Sequence, residues 1–448
     1  MLTVTTAKEL KGKIAIPPSQ DLFFLSTIVA LATGSRTLVS PAPLSPRAHS
    51  WLDALKGKAS ITLNEGTYCI EPASAPDAAP LRFSYDDIPL REFSIFLLLG
   101  RFGSVIIDSL STRRLEEWRC VCEKMGCRLL DEPVAGALSL KLDDAQKFRI
   151  PEVPCDIDDL HSFLGLAMGL RKPLECTVDS AFISPLRHLL PCFGLVCRVQ
   201  SRNLSKNEDP LIRRMRFLKT GKKSEGPPQF GVFVDFSQQP VSQTELTLPG
   251  DELFSALVVL AKCLVPRGSL LIENVSLEPW SAAFLQFVKN MGAAVGAQET
   301  HSCSFGSVGS VVVQKISPFG RKVDCRPRFQ FTTQLPAMLV MAAFAQGQSI
   351  FRNLEHLRLD EPDGLARLNS CISVLGARFG EMPDGIVIEG AKQFDGFDLD
   401  MPLPVAEAGA FAVAGFKCRG QTTIADEHIV RQWPDFKDLF WSIVEFKE

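Results

Sequence analysis

One arrangement of apolar and polar positions recurs six times along the chain. A nearly continuous apolar run of helical length leads into a turn that usually carries glycine. A short β-branched strand, a polar turn and an amphipathic run follow, often with another glycine turn and a further strand. The apolar runs are DLFFLSTIVALATG from Asp21, PLREFSIFLLLGRFG from Pro89, DLHSFLGLAMGL from Asp159, DELFSALVVLAKCLVPRG from Asp251, QLPAMLVMAAFAQG from Gln334 and EAGAFAVAGFKCRG from Glu407. A helix apolar on every side belongs in an interior, and the glycine behind it supplies the positive φ of a helix C-terminus. Strands such as SVIID and QTTIAD are short and β-branched. In AFLQFVKNM, helical spacing puts Phe284, Phe287 and Met291 on one stripe. The spacing of roughly 70 to 95 residues exceeds that of simple solenoids. The sixth unit ends before a final strand. The pattern predicts an α/β protein built from six helix-and-strand units.

Composition narrows this further. A chain of 448 residues, 46% of them apolar, suits two domains of about 200 residues. A formal charge of −3 gives no global attraction to nucleic acid or anionic membranes. No apolar run reaches the roughly 20 residues of a membrane span. MLTVTTAKELKGK lacks the basic-then-apolar order of a signal peptide and reads as mature sequence opening with a strand. Thirteen cysteines, an odd number without a C-x-x-C pair, read as buried reduced thiols in a cytoplasmic protein. Cys120 and Cys122 fall on different faces of a helix. The six histidines show no zinc-ligand spacing, so neither a metal nor a cofactor is expected. Residues 201–230 read as a surface excursion. Arg213, Arg214, Arg216, Lys219, Lys222 and Lys223 there could grip phosphates, but no aromatic platform accompanies them, so the stretch reads as a solvated loop and no nucleic-acid partner is expected.

Several strings together resemble EPSP synthase and the enolpyruvyl transferase family. ELKGKIAIPPSQ resembles that family's opening strand and P-G-S-K-S loop, and LVSPAPLSPRAHSWLDALKG follows at the right distance. NMGAAV, LPAMLVMAAFAQGQSIFRNLEHLRLDEPDGLARL and RQWPDF track later motifs, so the likeness covers almost the whole chain. It implies two domains, each of three units with pseudo-threefold symmetry, and two crossovers, near Gln20 and Gly250. The domains would be 20–248, and 1–19 plus 249–448. It also implies carboxyvinyl transfer from phosphoenolpyruvate to shikimate 3-phosphate, in the shikimate pathway of aromatic amino-acid biosynthesis.

That chemistry needs Lys and Arg against two phosphates and two carboxylates, and a carboxylate to move a proton. By the resemblance, Gln20 stands for the loop lysine beside Ser19, and Asp21 adds a charge that repels phosphate. The next arginine falls at Leu25 or its neighbour. Leu160, His161 and Ser162 occupy the place of the family's paired serines and glutamine. Thr333 and Gln334 replace two acids, Gly364 an arginine, and Pro404, Val405 and Ala406 a D-H-R triplet that a one-residue slip would bring near Glu407. Arg91, Arg113 (or Arg114), Glu361 beside Arg358, and Arg431 match retained charges, and Asp251 continues the G-D string.

The resemblance therefore implies catalytic roles for Glu361 and Arg113, and substrate contacts from Arg91, Gln20, Ser19, Ser162, Arg358 and Arg431. Structural readings stand beside these: Arg113 and Arg114 leading a surface helix, Glu361 paired with Arg358, and Arg431 stacked on Trp433. Arg91 at the head of an apolar helix points most directly to an anion, because a buried guanidinium without a partner is costly. Losing one buried phosphate contact costs on the order of 2 to 4 kcal/mol, and several are changed. The expectation is a divergent, monomeric transferase-family protein that takes a small, phosphoenolpyruvate-like anion between its domains. The alternative is an inactive homologue that binds a ligand or a protein. RNA 3′-phosphate cyclase, built on related repeats, would need a nucleotide-accepting histidine that the sequence does not offer.

Overall fold

Helices with no polar face lie where water does not reach them. The computed structural model describes residues 1–74, 79–150, 155, 157–178, 184–202, 229–314, 317–326, 331–360 and 363–447. Helix Gln20–Thr33 buries every residue except Asp21 and Thr33, and helix Leu335–Ala343 buries all of its residues. Ser19 caps the first of these by accepting from Leu22 N–H at 3.3 Å, and Gly34 ends it at φ 76°. Arg91–Phe102, Ile157–Gly169, Glu252–Leu264 and Val405–Gly415 are the other central helices.

Two of them touch backbone to backbone. A Cβ added at Gly165 would stand 2.2 Å from the Phe93 carbonyl oxygen, and one at Gly169 2.6 Å from that of Leu97. Glycine here is what permits helices Arg91–Phe102 and Ile157–Gly169 to approach so closely. The amphipathic helices pack as their stripes require: Phe284, Phe287 and Met291 are all buried, and Cys122 is buried while Cys120 is exposed. None of the thirteen cysteines, all of them among the described residues, forms a disulfide.

The strands form small sheets around these helices. Strands Ser104–Asp108, Ala137–Asp143 and Arg128–Val134 pair antiparallel, with Leu81–Ser84 parallel at the edge. The first fifteen residues are stitched to the C-terminal half: Leu2–Thr5 pairs with Gln421–Ile424, and Gly12–Ala15 runs parallel to Leu270–Ser276. Ala7–Leu10 pairs with Val444–Phe446. The chain therefore does end in a strand, which the truncated sixth unit did not predict. Its three residues are too short to register as a pattern, and the partner lies at the other end of the chain. Gln243–Thr247 returns to run parallel to Arg36–Ser40.

Buried apolar side chains form two clusters. One contains residues from 22 to 248, and the other residues from 2 to 16 together with 253 to 443. Trp280 and Phe305 are the exceptions, since they come from the C-terminal half yet belong to the first cluster. Most of the 201–230 excursion, with all six of its singled-out basic residues, lies outside the described residues. Among the described residues no helix is long and apolar enough to cross a membrane.

Candidate functional site

The two segments that pass between the clusters run side by side. Ser19 N–H donates to Pro249 O at 3.0 Å, and Asp251 N–H to Pro17 O at 2.7 Å. Two buried helices, Gln20–Thr33 and Glu252–Leu264, therefore begin at one place, and Asp21 and Glu252 open onto a cleft between the clusters. The cleft has a smaller lobe of about 180 Å³ and a larger one of about 410 Å³. Both are walled by Arg47, Tyr85, Arg91, Glu252, Thr333 and Asp360, among others.

Among the described residues, eight carboxyls and five guanidiniums line the lobes, so the cleft carries more acid than base. Each guanidinium is already held. Arg47 pairs with Asp21 at 2.7 Å and Asp87 at 3.0 Å, and Arg431 reaches the same Asp87 at 2.6 Å. Arg114 pairs with Asp360 at 3.0 Å and Glu117 at 2.8 Å. Arg367 is held by Glu407 at 2.8 Å. Arg91 donates to the Tyr85 carbonyl at 3.1 Å and to Asp86 at 3.2 Å, and it lies 4.1 Å from the centroid of the Tyr85 ring. The Asp86 side chain is 72% exposed, against 13% for Asp87 and 5% for Glu407. An exposed counterion is exchanged more cheaply than a buried one. Arg91 is therefore the guanidinium best placed to trade its partner for a ligand.

Burial also shapes the acids. The Asp251 carboxyl, which caps Glu252–Leu264 through Phe254 N–H at 2.9 Å, is pushed up to about 7, chiefly by burial. Burial, with Asp21 and Asp251 close by, holds Glu252 well above the ordinary carboxylate range; the Thr333 hydroxyl acts the other way. Glu407 is raised by burial against the opposing pull of Arg367. Burial alone brings His161 down to about 3.

Several residues expected at a site sit elsewhere. Gln20 is buried: its amide donates to the Gln432 carbonyl, its oxygen accepts from Ser45 Oγ at 2.7 Å, and it lines neither lobe. A neutral amide fits that enclosed position because both ends find partners. Ser162 is buried within its helix, and the neighbouring His161 Nε2 meets Ser184 Oγ at 3.0 Å. Arg113 donates to the Arg358 carbonyl at 3.0 Å and lines neither lobe, whereas Arg114 does. With about 3.6 residues per turn, neighbours on a helix face different ways, and Arg114 has the inward one. Arg358 is held by Asp363 at 3.2 Å and Glu381 at 2.5 Å, away from both lobes. Ser19 and Arg431 line the larger lobe. Arg431 takes Asp87 as its partner, in place of the expected stacking on Trp433. Glu361 lies outside the described residues.

Sequence reasoning missed Arg47, Tyr85, Glu252 and Arg367. Arg47 follows Pro46 directly in a quoted string, and Glu252 adjoins Asp251, so adjacency to marked positions was the signal available. Glu407 lines the larger lobe, as do Pro404, Val405 and Ala406. Among the described residues no group of three or more His, Cys, Asp or Glu could hold a metal ion.

The family model for EPSP synthase (3-phosphoshikimate 1-carboxyvinyltransferase) matches residues 231–440. A 3-phosphoshikimate 1-carboxyvinyltransferase from Salinibacter ruber is 25% identical over 97% of this chain and 97% of its own length. One from Brevibacillus brevis is 31% identical over 46% of this chain and 48% of its own length. In structure, EPSP synthase from Acinetobacter baumannii superposes with a TM-score of 0.67 at 16% identity, covering 99% of this chain and 98% of its own. The enolpyruvyl transferase NikO from Streptomyces tendae gives 0.66 at 14% identity, over 99% and 97%. With the α/β fold and the matching strings along its length, the chain is similar over nearly all of its residues to EPSP synthases, and it shares their fold.

Proposed function

We propose that this protein binds a small anionic molecule in the cleft, with Arg91 as the group that meets the anion, and that it does not carry shikimate 3-phosphate through efficient carboxyvinyl transfer. The observation behind this is the internal pairing of the guanidiniums. Arg47, Arg114, Arg367 and Arg431 already serve carboxylates of the protein, and Arg91 alone has a well-exposed counterion. Two phosphorylated substrates side by side would need several of those pairs broken, and a broken buried pair costs about 3 to 5 kcal/mol. The division into domains 20–248 and 1–19 plus 249–448 is part of the same reading, supported by the two apolar clusters.

Calorimetric titration with shikimate 3-phosphate, alone and with phosphoenolpyruvate, tests it, alongside a phosphate-release assay. Weak or absent shikimate 3-phosphate binding without turnover is expected. Turnover at rates normal for an enzyme would overturn the proposal.

A second reading, an inactive homologue that binds a ligand or a partner, is favoured by the enclosed Gln20 and by threonine at position 333. Arg91→Gln separates the two in a folded sample. Loss of biological function supports a working ligand site, and an unchanged phenotype supports a role elsewhere on the surface.

A further inference from the structure

Among the described residues the ion pairs of the cleft leave three acids over, Glu92, Asp251 and Glu252. Asp21 and Asp360 are occupied by Arg47 and Arg114, while Glu252 has no ion pair among the described residues. Glu252 faces both lobes from the head of its helix, with Asp21, Asp251 and the Thr333 hydroxyl around it. A carboxyl placed among other carboxyls keeps its proton unless a cation compensates it. A second observation concerns the same lobe. Trp280 forms part of its wall and is 5% exposed, and its indole Nε1–H meets no hydrogen-bond acceptor among the described residues. Buried donors normally have partners, so one without any marks a place for an acceptor atom.

We propose that the ligand of the smaller lobe is a zwitterion of the amino-acid class, whose ammonium is met by Glu252 and whose carboxylate is met by Arg91. This rests on the cleft-binding reading above and narrows it. Arg91 can balance one carboxylate by releasing exposed Asp86, whereas a phosphate dianion would face Glu252 with nothing further to neutralise it. The Trp280 N–H supplies a donor to an oxygen of the ligand, and the Tyr85 ring holds the Arg91 guanidinium in place. At about 180 Å³ the lobe is smaller than the roughly 300–1,000 Å³ typical of sites for drug-sized ligands, and it suits a molecule of amino-acid size.

The test is calorimetry on the full chain with the standard amino acids, the matching acids lacking the amino group, the matching amines lacking the carboxylate, and phosphoenolpyruvate. At least one amino acid is expected to bind about tenfold or more tighter than both of its truncated analogues. Glu252→Gln should weaken that amino acid about tenfold while leaving the acid lacking the amino group within about twofold. Arg91→Gln should weaken both, and thermal unfolding of each variant confirms that it is folded. Equal binding of the deaminated acid or of phosphoenolpyruvate, or a Glu252→Gln variant that keeps full amino-acid affinity, overturns the zwitterion and leaves the anion-binding cleft standing. Silence from every class of compound overturns both.

Discussion

Asp251 shows how one side chain can serve the fold and tax it. Its carboxylate caps a buried helix, yet burial lifts its pKa from 3.8 to about 7. Below about pH 4 the carboxyl is protonated in both folded and unfolded chains, so no penalty arises. As the pH rises toward 7, the unfolded chain releases the proton while the folded chain retains it, and stability falls; above 7 the penalty is constant. Asparagine caps helices about as well as aspartate and carries no charge. Asp251→Asn is therefore expected to match the parent chain near pH 4 and to exceed it by up to about 4 kcal/mol at pH 8. Urea denaturation across that range measures the difference, and a pH-independent gap would refute the assignment. Gln20 makes the complementary point. The missing lysine was visible in the string, but the partners of the amide, Ser45 and Gln432, come from distant parts of the chain.

The contact between helices Arg91–Phe102 and Ile157–Gly169 depends on glycine. Alanine at position 165 would gain up to about 1 kcal/mol of helix propensity. Its Cβ would also stand 2.2 Å from a backbone oxygen that no rotamer change can move. Gly165→Ala should therefore destabilise the chain by about 1 to 3 kcal/mol net. Gly380, with nothing within 4 Å of its added Cβ, serves as the control, and Gly380→Ala should stay within about 0.5 kcal/mol. Equal effects at the two positions would show that the close approach does not matter. These helices were legible because an all-apolar run needs burial, whichever neighbours provide it. The terminal strand Val444–Phe446 was not, because three residues carry no period and their pairing joins the two ends of the chain.

The two clusters are joined by more than the paired crossover segments. The hairpin of strands Ala294–Cys303 and Gly306–Gln314 carries Phe305 at its tip, fully buried in the first cluster, to which Trp280 also belongs. The Ser304 hydroxyl accepts from Thr247 N–H at 2.9 Å, and His188 lies 3.3 Å from Glu278. Across the cleft, Arg114 donates to the His356 carbonyl at 3.0 Å and Arg47 to Gln432 at 2.8 Å. Phe305→Ala should cost about 3 to 5 kcal/mol, as for a buried aromatic side chain. Because Phe305 joins the clusters, its loss should also separate their unfolding transitions in calorimetry. A loss below about 1 kcal/mol with a single transition would mean that the tip does not couple them.

Sequence by itself determined the α/β class, the central helices and the substituted motifs, since burial demand and backbone preference are properties of short segments. It also marked Arg91, because a charge heading an apolar helix must be answered by something. Tertiary structure alone decided which charges share the cleft. It placed Arg114 inward and Arg113 outward, set Asp87 between Arg47 and Arg431, and brought Glu252 beside Thr333. Ion pairing depends on distances of a few ångströms between residues hundreds of positions apart, and no local pattern of apolar and polar residues encodes those distances.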